Sequence, residues 1–249
     1  GVGLDKMRLD QELVKRGLCE SRTEAQELIE GGNVLVNGFV VTKQTKQVED
    51  KDEVIVNARR KFVSRGGEKL EGVFMDVFGD SSSVSDFCEA KIALDIGSST
   101  GGFTDFLLTH GVTHVDAVDV GTDQLHNKIK NDERVSVFEK TDIRDFKSNK
   151  KYDIVVADLS FISLNNIFEN IINFGKSGTH YFLLIKPQFE VGQGNTKKGI
   201  VKDELMVKKV LSVYQSLAEK FGLVDVKIFP CRIKGGDGNQ EFFLFGIKK

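Results

Sequence analysis

Two periodicities succeed one another along the chain. Near the start, apolar residues recur at helical spacing: Leu9, Leu13 and Val14 share one stripe, and Ala25, Leu28 and Ile29 share a second. The second helix is announced by Ser21-Arg22-Thr23-Glu24, a capping box in which a hydroxyl and a carboxylate satisfy amide groups at the helix start. Gly31-Gly32 ends it. The period then drops to two. NVLVNGFVV alternates about Asn37-Gly38, the pair that a type I′ hairpin turn prefers because both central residues need positive φ, and EVIVN predicts a third strand.

From about Ala90 the pattern changes again. IALDI, HVDAVDV, VSVFEKTD, YDIVVADL, HYFLLI and QEFFLFGI are short runs rich in apolar and β-branched residues, separated by helix-length segments or loops. That succession predicts an α/β fold with a mostly parallel sheet covered by helices on both faces. In such sheets ligands bind beyond the carboxyl ends of the strands, near the point where the strand order reverses.

Composition narrows the class. The 249 residues are 40% hydrophobic and 29% charged, enough for one sizeable core plus a smaller module. The formal net charge of −2 gives no global positive field, so a nucleic-acid partner has to be met by local patches. Cys19, Cys88 and Cys231 are odd in number and form no C-x-x-C, which argues against a disulfide framework or a zinc site. No metal is expected, and a reducing cytoplasm fits best. No apolar stretch approaches the ~18 residues of a membrane span, and no signal-peptide core is visible. Met7 opens a more natural reading, so Gly1 to Lys6 are expected to be an upstream extension or a cloning remnant.

The predicted strand ends carry the chemistry. The first runs into Asp95-Ile96-Gly97-Ser98-Ser99-Thr100-Gly101-Gly102-Phe103 ahead of a helix, and glycines there let a ligand approach the main chain. The loop is not G-x-G-x-x-G, and no phosphate-binding G-x-x-x-x-G-K-[ST] occurs, so dinucleotide and nucleoside-triphosphate sites are not favoured. Asp119 ends the second strand, where a carboxylate can accept both hydroxyls of a ribose. Asp142 follows the third, where its carboxylate or backbone can read an adenine edge. These features outline an adenosine pocket without a diphosphate cradle, the shape of S-adenosylmethionine. Asp158 ends the fourth strand, and Lys186 closes LLIKPQFE, where an apolar run delivers a cation followed by proline. Each has a plainer reading, an edge lysine or a helix-capping aspartate. Two other methylation chemistries are disfavoured. Pro230-Cys231 stands beside the last strand and reads as a buried structural cysteine rather than a carbon-directed nucleophile. With only two prolines, the Asn/Asp-Pro-Pro-aromatic word of adenine-nitrogen transfer cannot exist.

Two resemblances cover nearly the whole chain. RLDQELVKRGLCESRTEAQELIEGGNVLVNG resembles the small α+β RNA-binding module named after ribosomal protein S-four, which implies phosphate-facing roles for Arg8, Lys15, Arg16 and Arg22. The segment after it, RRKFVSRGGEKL, adds a basic hinge of Arg59, Arg60, Lys61 and Arg65. The order Lys69, Asp158, Lys186, Glu241 resembles the Lys-Asp-Lys-Glu tetrad of the FtsJ-like ribose 2′-O-methyltransferases. SRGGEKL, LDIGSSTGGFTD, ADLSF and LIKPQFE resemble, more narrowly, the TlyA family. That likeness implies a Rossmann-like sheet of seven strands, S-adenosylmethionine as cofactor, and methylation of a cytidine ribose in ribosomal RNA, free or within a ribosomal subunit. The organisation expected is an RNA-binding module over 7–58, a basic linker over 59–70 carrying Lys69, and a methyltransferase domain over 71–249. In the chemistry so implied, Lys186 is the base, Lys69 favours its neutral form and steadies the developing alkoxide, and Asp158 and Glu241 hold the amines. The alternatives are a membrane-lytic protein, after the haemolysin name used in the family, and an RNA-binding protein with an inactive methyltransferase domain.

Overall fold

The computed structural model describes residues 5–57, 61–159, 163–192 and 194–249. The chain divides into two compact units, Gly1–Ser64 and Arg65–Lys249.

The small unit contains β1 (Met7–Arg8), α1 (Leu9–Lys15), α2 (Arg22–Glu30), β2 (Val34–Val36), β3 (Phe39–Val40), β4 (Gln47–Val48) and β5 (Val54–Val56). β2 pairs antiparallel with β3 and with β5, and β1 pairs with β4. The Ser21 hydroxyl accepts from Glu24 N at 3.1 Å. The return bond of the box reaches one residue further back, with Glu20 N donating to the Glu24 carboxylate at 3.3 Å. Asn37 and Gly38 stand at φ of 50° and 84°, the pair of left-handed residues a type I′ turn requires. Leu9, Leu13, Ala25, Leu28 and Ile29 bury their stripe against Val34, Val36 and Val48.

The large unit opens on α3 (Arg65–Phe78) and α4 (Ser81–Cys88). It continues through β6 (Ile92–Ile96), α5 (Gly102–Thr109), β7 (His114–Val118), α6 (Asn127–Lys130), β8 (Val135–Phe138), β9 (Tyr152–Ala157), α7 (Phe168–Asn173), β10 (Gly175–Ile185), α8 (Glu204–Lys220), β11 (Leu223–Pro230) and β12 (Phe242–Lys248). One seven-stranded sheet runs β11-β12-β10-β9-β6-β7-β8. From β10 across to β8 every pair is parallel, while β12 runs antiparallel to both β10 and β11. The six runs read from the sequence become β6 to β10 and β12. The seventh strand, β11, is an edge strand whose half-exposed LVDVKIFP carries charges among its apolar residues, so its signal is weak.

Burial explains the rest. The central strands β6, β9 and β10 are covered on both faces, which is why they read as continuous apolar runs. On one face Phe74 of α3 stacks on Phe182 of β10 with ring centroids 4.1 Å apart and meets Phe106 of α5 edge-on at 4.9 Å. On the other, Phe168, Ile171 and Ile172 of α7 and Tyr214 and Ala218 of α8 close the core. The chain builds β6, β7 and β8 outward to one side, then returns to place β9 against the opposite side of β6. The order therefore reverses between β6 and β9, and ligand chemistry belongs at the carboxyl ends of those strands.

Candidate functional site

The sheet register gathers the four expected catalytic residues at one end. Asp158 follows β9 directly and Lys186 follows β10, its parallel neighbour. Lys186 Nζ lies 2.6 Å from Asp158 Oδ1. β12 pairs with β10 so that Phe242 faces Ile185, which brings Glu241 and Lys186, one step further out on each strand, to the same rim. Lys69 arrives from the opposite direction in sequence. Its helix begins at Arg65, so Lys69, expected within a linker, stands instead on the first turns of α3, fixed by the buried Leu70, Val73 and Phe74. Lys69 Nζ donates to Glu241 Oε1 at 2.8 Å. Two largely buried lysine–carboxylate pairs thus meet at one edge. The Cys231 thiol is pushed up to about 12, first by burial, and it also feels the charges of Glu241, Lys69, Asp158 and Lys186. A thiol so disfavoured as thiolate is no nucleophile near neutrality.

Next to Asp158 lies a cavity of about 310 Å³ lined by Ile96, Gly97, Ser99, Val118, Asp119, Val120, Gln124, Thr141, Asp142, Ile143, Asp158 and Leu159. Gly97 sits at the reversal point, with φ of 75°, and a Cβ there would fall 2.2 Å from the Asp158 carbonyl oxygen. Only glycine lets β6 and β9 approach so closely. The Asp119 carboxylate is oriented by two main-chain donors, Ser99 N at 2.6 Å and Gly121 N at 2.8 Å, each of which leaves its oxygen a further lone pair. Arg144 grips both oxygens of Asp142, at 3.0 and 2.6 Å, and holds its carboxyl down to about 2.

Asp95 stands deeper. It is wholly buried, accepts from Thr104 Oγ1 at 2.6 Å through one oxygen, and its other oxygen has no hydrogen-bond partner among the described residues. Burial pushes it up to about 7, aided by the charges of Asp158 and Asp119 and opposed by Thr104. A buried carboxylate with a spare acceptor fits a cationic ligand. The cavity, the glycine approach and this free oxygen together fit S-adenosylmethionine, which carries both a sulfonium and an ammonium.

Of the other residues expected around a cofactor, Ser98, Thr100, Gly101 and Gly102 build the turn into α5, where Gly101 takes φ of 101° at the helix N-cap. Phe103 is buried 5.9 Å from the Phe243 ring and serves the core rather than the cavity wall. Val120, Gln124 and Thr141 line the cavity without any signal in the sequence beyond their nearness to Asp119 and Asp142.

The expected RNA-facing residues of the small unit differ in how they are held. Arg8 makes a two-pronged pair with the buried Asp10, at 3.1 and 2.9 Å, and Arg22 approaches the same carboxylate at 3.6 Å. Arg16 is committed inward, donating to Glu12 at 2.8 Å and to the carbonyls of Asp52 and Glu49 at 2.7 and 3.0 Å. Lys15 stays exposed, 3.4 Å from Asp50. Of the hinge, Arg59 and Arg60 lie outside the described residues. Lys61 stands over the Phe62 ring at 5.6 Å, and Arg65 donates to the Lys234 carbonyl at 2.8 Å.

Comparison with known proteins adds independent findings. The family model described as FtsJ-like methyltransferase matches residues 62–248, and the S4 domain model matches residues 7–54. A Brachyspira hyodysenteriae protein named hemolysin A is 41% identical over 246 residues, covering 97% of this chain and 100% of its own. A Mycobacterium tuberculosis protein named 16S/23S rRNA (cytidine-2′-O)-methyltransferase TlyA is 38% identical over 247 residues, covering 96% of this chain and 89% of its own. The solved structure of a Streptococcus thermophilus protein described as a hemolysin superposes with a TM-score of 0.71 at 35% identity, across 99% of this chain and 90% of that one.

Proposed function

The chain belongs to the FtsJ-like methyltransferase family and carries an S4 domain, and from that premise we propose that it methylates the 2′-hydroxyl of a cytidine ribose in ribosomal RNA, using S-adenosylmethionine. The observation that carries the reading is the pair of lysine–carboxylate contacts, Lys186–Asp158 and Lys69–Glu241, assembled beside the glycine-lined cavity.

When bound, S-adenosylmethionine supplies an electrophilic methyl group on sulfur. The protein's task is to make a ribose hydroxyl nucleophilic and to aim it. Lys186 would take the proton of the 2′-hydroxyl and leave its oxygen able to accept the methyl group that the cofactor would supply. Asp158 orients the Lys186 amine, and Lys69, held by Glu241, steadies the developing alkoxide. Asp119 would hold the ribose of the cofactor, Asp142 would stand by its adenine, and Asp95 would receive a cationic group. The S4 domain and the basic hinge hold the RNA through its phosphates, which position without reading sequence.

The relatives named as haemolysins raise a membrane-lytic reading. No described helix is long and apolar enough to cross a membrane. The same residues that match the family's methyltransferase model hold both ion pairs, which favours the enzyme over an inactive RNA-binding relative.

The test is to map ribose methylation in ribosomal RNA with and without the protein, supplied either as free RNA or as assembled subunits. A new 2′-O-methylcytidine that depends on the protein and on S-adenosylmethionine is the expected result. Methyl transfer to a base, or to no RNA in either form, overturns the reading.

A further inference from the structure

Lys186 is followed by Pro187, Gln188 and Phe189, a single 3₁₀ turn that proline starts and that leads the chain away from the rim. The middle residue does not leave the site. Gln188 Nε2 donates to Glu241 Oε2 at 3.1 Å and to Asp237 Oδ2 at 3.2 Å. Glu241 is therefore held through both oxygens, Oε1 by Lys69 and Oε2 by Gln188. Both neighbours of the amide are carboxylates, which accept only, so the NH₂ group must face them and the amide has one sense. Its carbonyl oxygen is buried and has no hydrogen-bond partner among the described residues. That oxygen's lost hydrogen bond is the cost of keeping the donor between the two carboxylates.

The surroundings fix the geometry from the other side. Asp237 accepts from Asn239 N at 3.0 Å, and Asn239, itself buried, accepts from Val201 N at 3.0 Å and donates to the Gly199 carbonyl at 2.8 Å. Gly235 leaves room for the clamp, since a Cβ there would stand 2.5 Å from Glu241 Oε2. Two carboxylates this close repel unless a donor lies between them. The geometry points to Gln188 as the positioning residue of the Lys69–Glu241 half of the site, a neutral donor that ties Glu241 to Asp237 and so fixes where the Lys69 amine stands relative to Lys186. Gln188 touches no reacting atom. It acts through Glu241.

The inference rests on the reading of the site as a ribose methyltransferase, and its test separates the two. Gln188→Leu keeps the bulk and removes the donor. Gln188→Glu removes the donor near neutral pH and restores it when the new carboxyl is protonated. Single-turnover methylation of ribosomal RNA is measured for both variants and wild type across a pH series, with S-adenosylmethionine saturating and its affinity measured by calorimetry. Gln188→Leu is expected to slow turnover about 10- to 100-fold, the order that misplacing a group by about 1 Å costs, with cofactor affinity unchanged. For Gln188→Glu, the rate relative to wild type at the same pH is expected to rise as pH falls. A role in packing alone predicts no such recovery. A ratio flat across pH, or Gln188→Leu turning over within about twofold of wild type, overturns the inference while leaving the function standing. A wild type that methylates no ribose overturns the function, and the inference with it.

Discussion

The cations of the two units are both held by carboxylates, but at different depths, and depth decides what each can do. In the small unit Arg8 and Arg22 converge on Asp10, a carboxylate with no exposed surface, while their own side chains remain 34% and 53% exposed. Burial pushes Asp10 up, yet the bonds from Gln26 and Arg8 outweigh it and hold the carboxyl below the usual range. One end of each guanidinium pair is structural and the other faces water, where a phosphate can join it. In the large unit the side chains of Lys69 and Lys186 are only 11% and 12% exposed. Their amines are aimed by their carboxylates and shielded from solvent. In the proposed function, exposed pairs of this kind would hold RNA by its charge, whereas the buried pairs would set the position of a reacting hydroxyl.

The variants that break this contrast are ordered by size of effect. Lys186→Ala should lower single-turnover methylation by about 10²- to 10⁴-fold, the range positioned acid–base groups contribute, with S-adenosylmethionine affinity unchanged because the lost group acts on the acceptor. Glu241→Ala strips a buried ammonium of its partner and should destabilise the fold by about 3–5 kcal/mol. By contrast, Asp50→Ala, which frees the exposed Lys15, should leave denaturant melting where it was.

Asp95 gives the next effect. Its folded value of about 7 stands above the 3.8 of an unfolded chain, so the folded state binds the extra proton. The stability it contributes is complete below about pH 4 and is lost as pH rises through about 7. In the proposed cofactor site, where Asp95 meets a cationic group, binding would have the opposite slope, since a cation favours the ionised form, and affinity should climb with pH until about 7. Asp95→Asn should flatten both curves, read by melting without cofactor and by calorimetry with it. Smallest is the loss of exposed cations. Lys15→Ala and Arg22→Ala should each reduce the slope of log affinity for RNA against log salt by about 0.7–0.9 if each meets one phosphate, with cofactor affinity untouched.

Much of this was legible in the chain because it rests on local signals. The capping box at Ser21, the Asn37-Gly38 turn and the long apolar runs of β6, β9 and β10 each follow from a few consecutive residues. The tetrad was legible as an order of residues. Which lysine meets which carboxylate was not, because that depends on β12 lying antiparallel to β10 and on α3 starting as early as Arg65. Arg16 reads like its neighbours in sequence, yet its guanidinium is spent on the Asp52 and Glu49 carbonyls, a commitment made across more than 30 residues of chain. Gln188 lies within LIKPQFE, but a neutral amide gives no sign of its partners until Glu241 and Asp237 are folded beside it. β11 escaped because an edge strand with charges along it carries little apolar periodicity.

The central claim is that Lys186 removes the proton from the ribose hydroxyl, and Lys186→Arg tests it most directly. A guanidinium keeps the charge and can still pair with Asp158, but it cannot give up its proton near neutral pH. Single-turnover methylation of ribosomal RNA at saturating S-adenosylmethionine should therefore fall as far for Lys186→Arg as for Lys186→Ala. Near-normal turnover in the arginine variant would contradict the account, making Lys186 an electrostatic support and moving the base to Asp158 or to water.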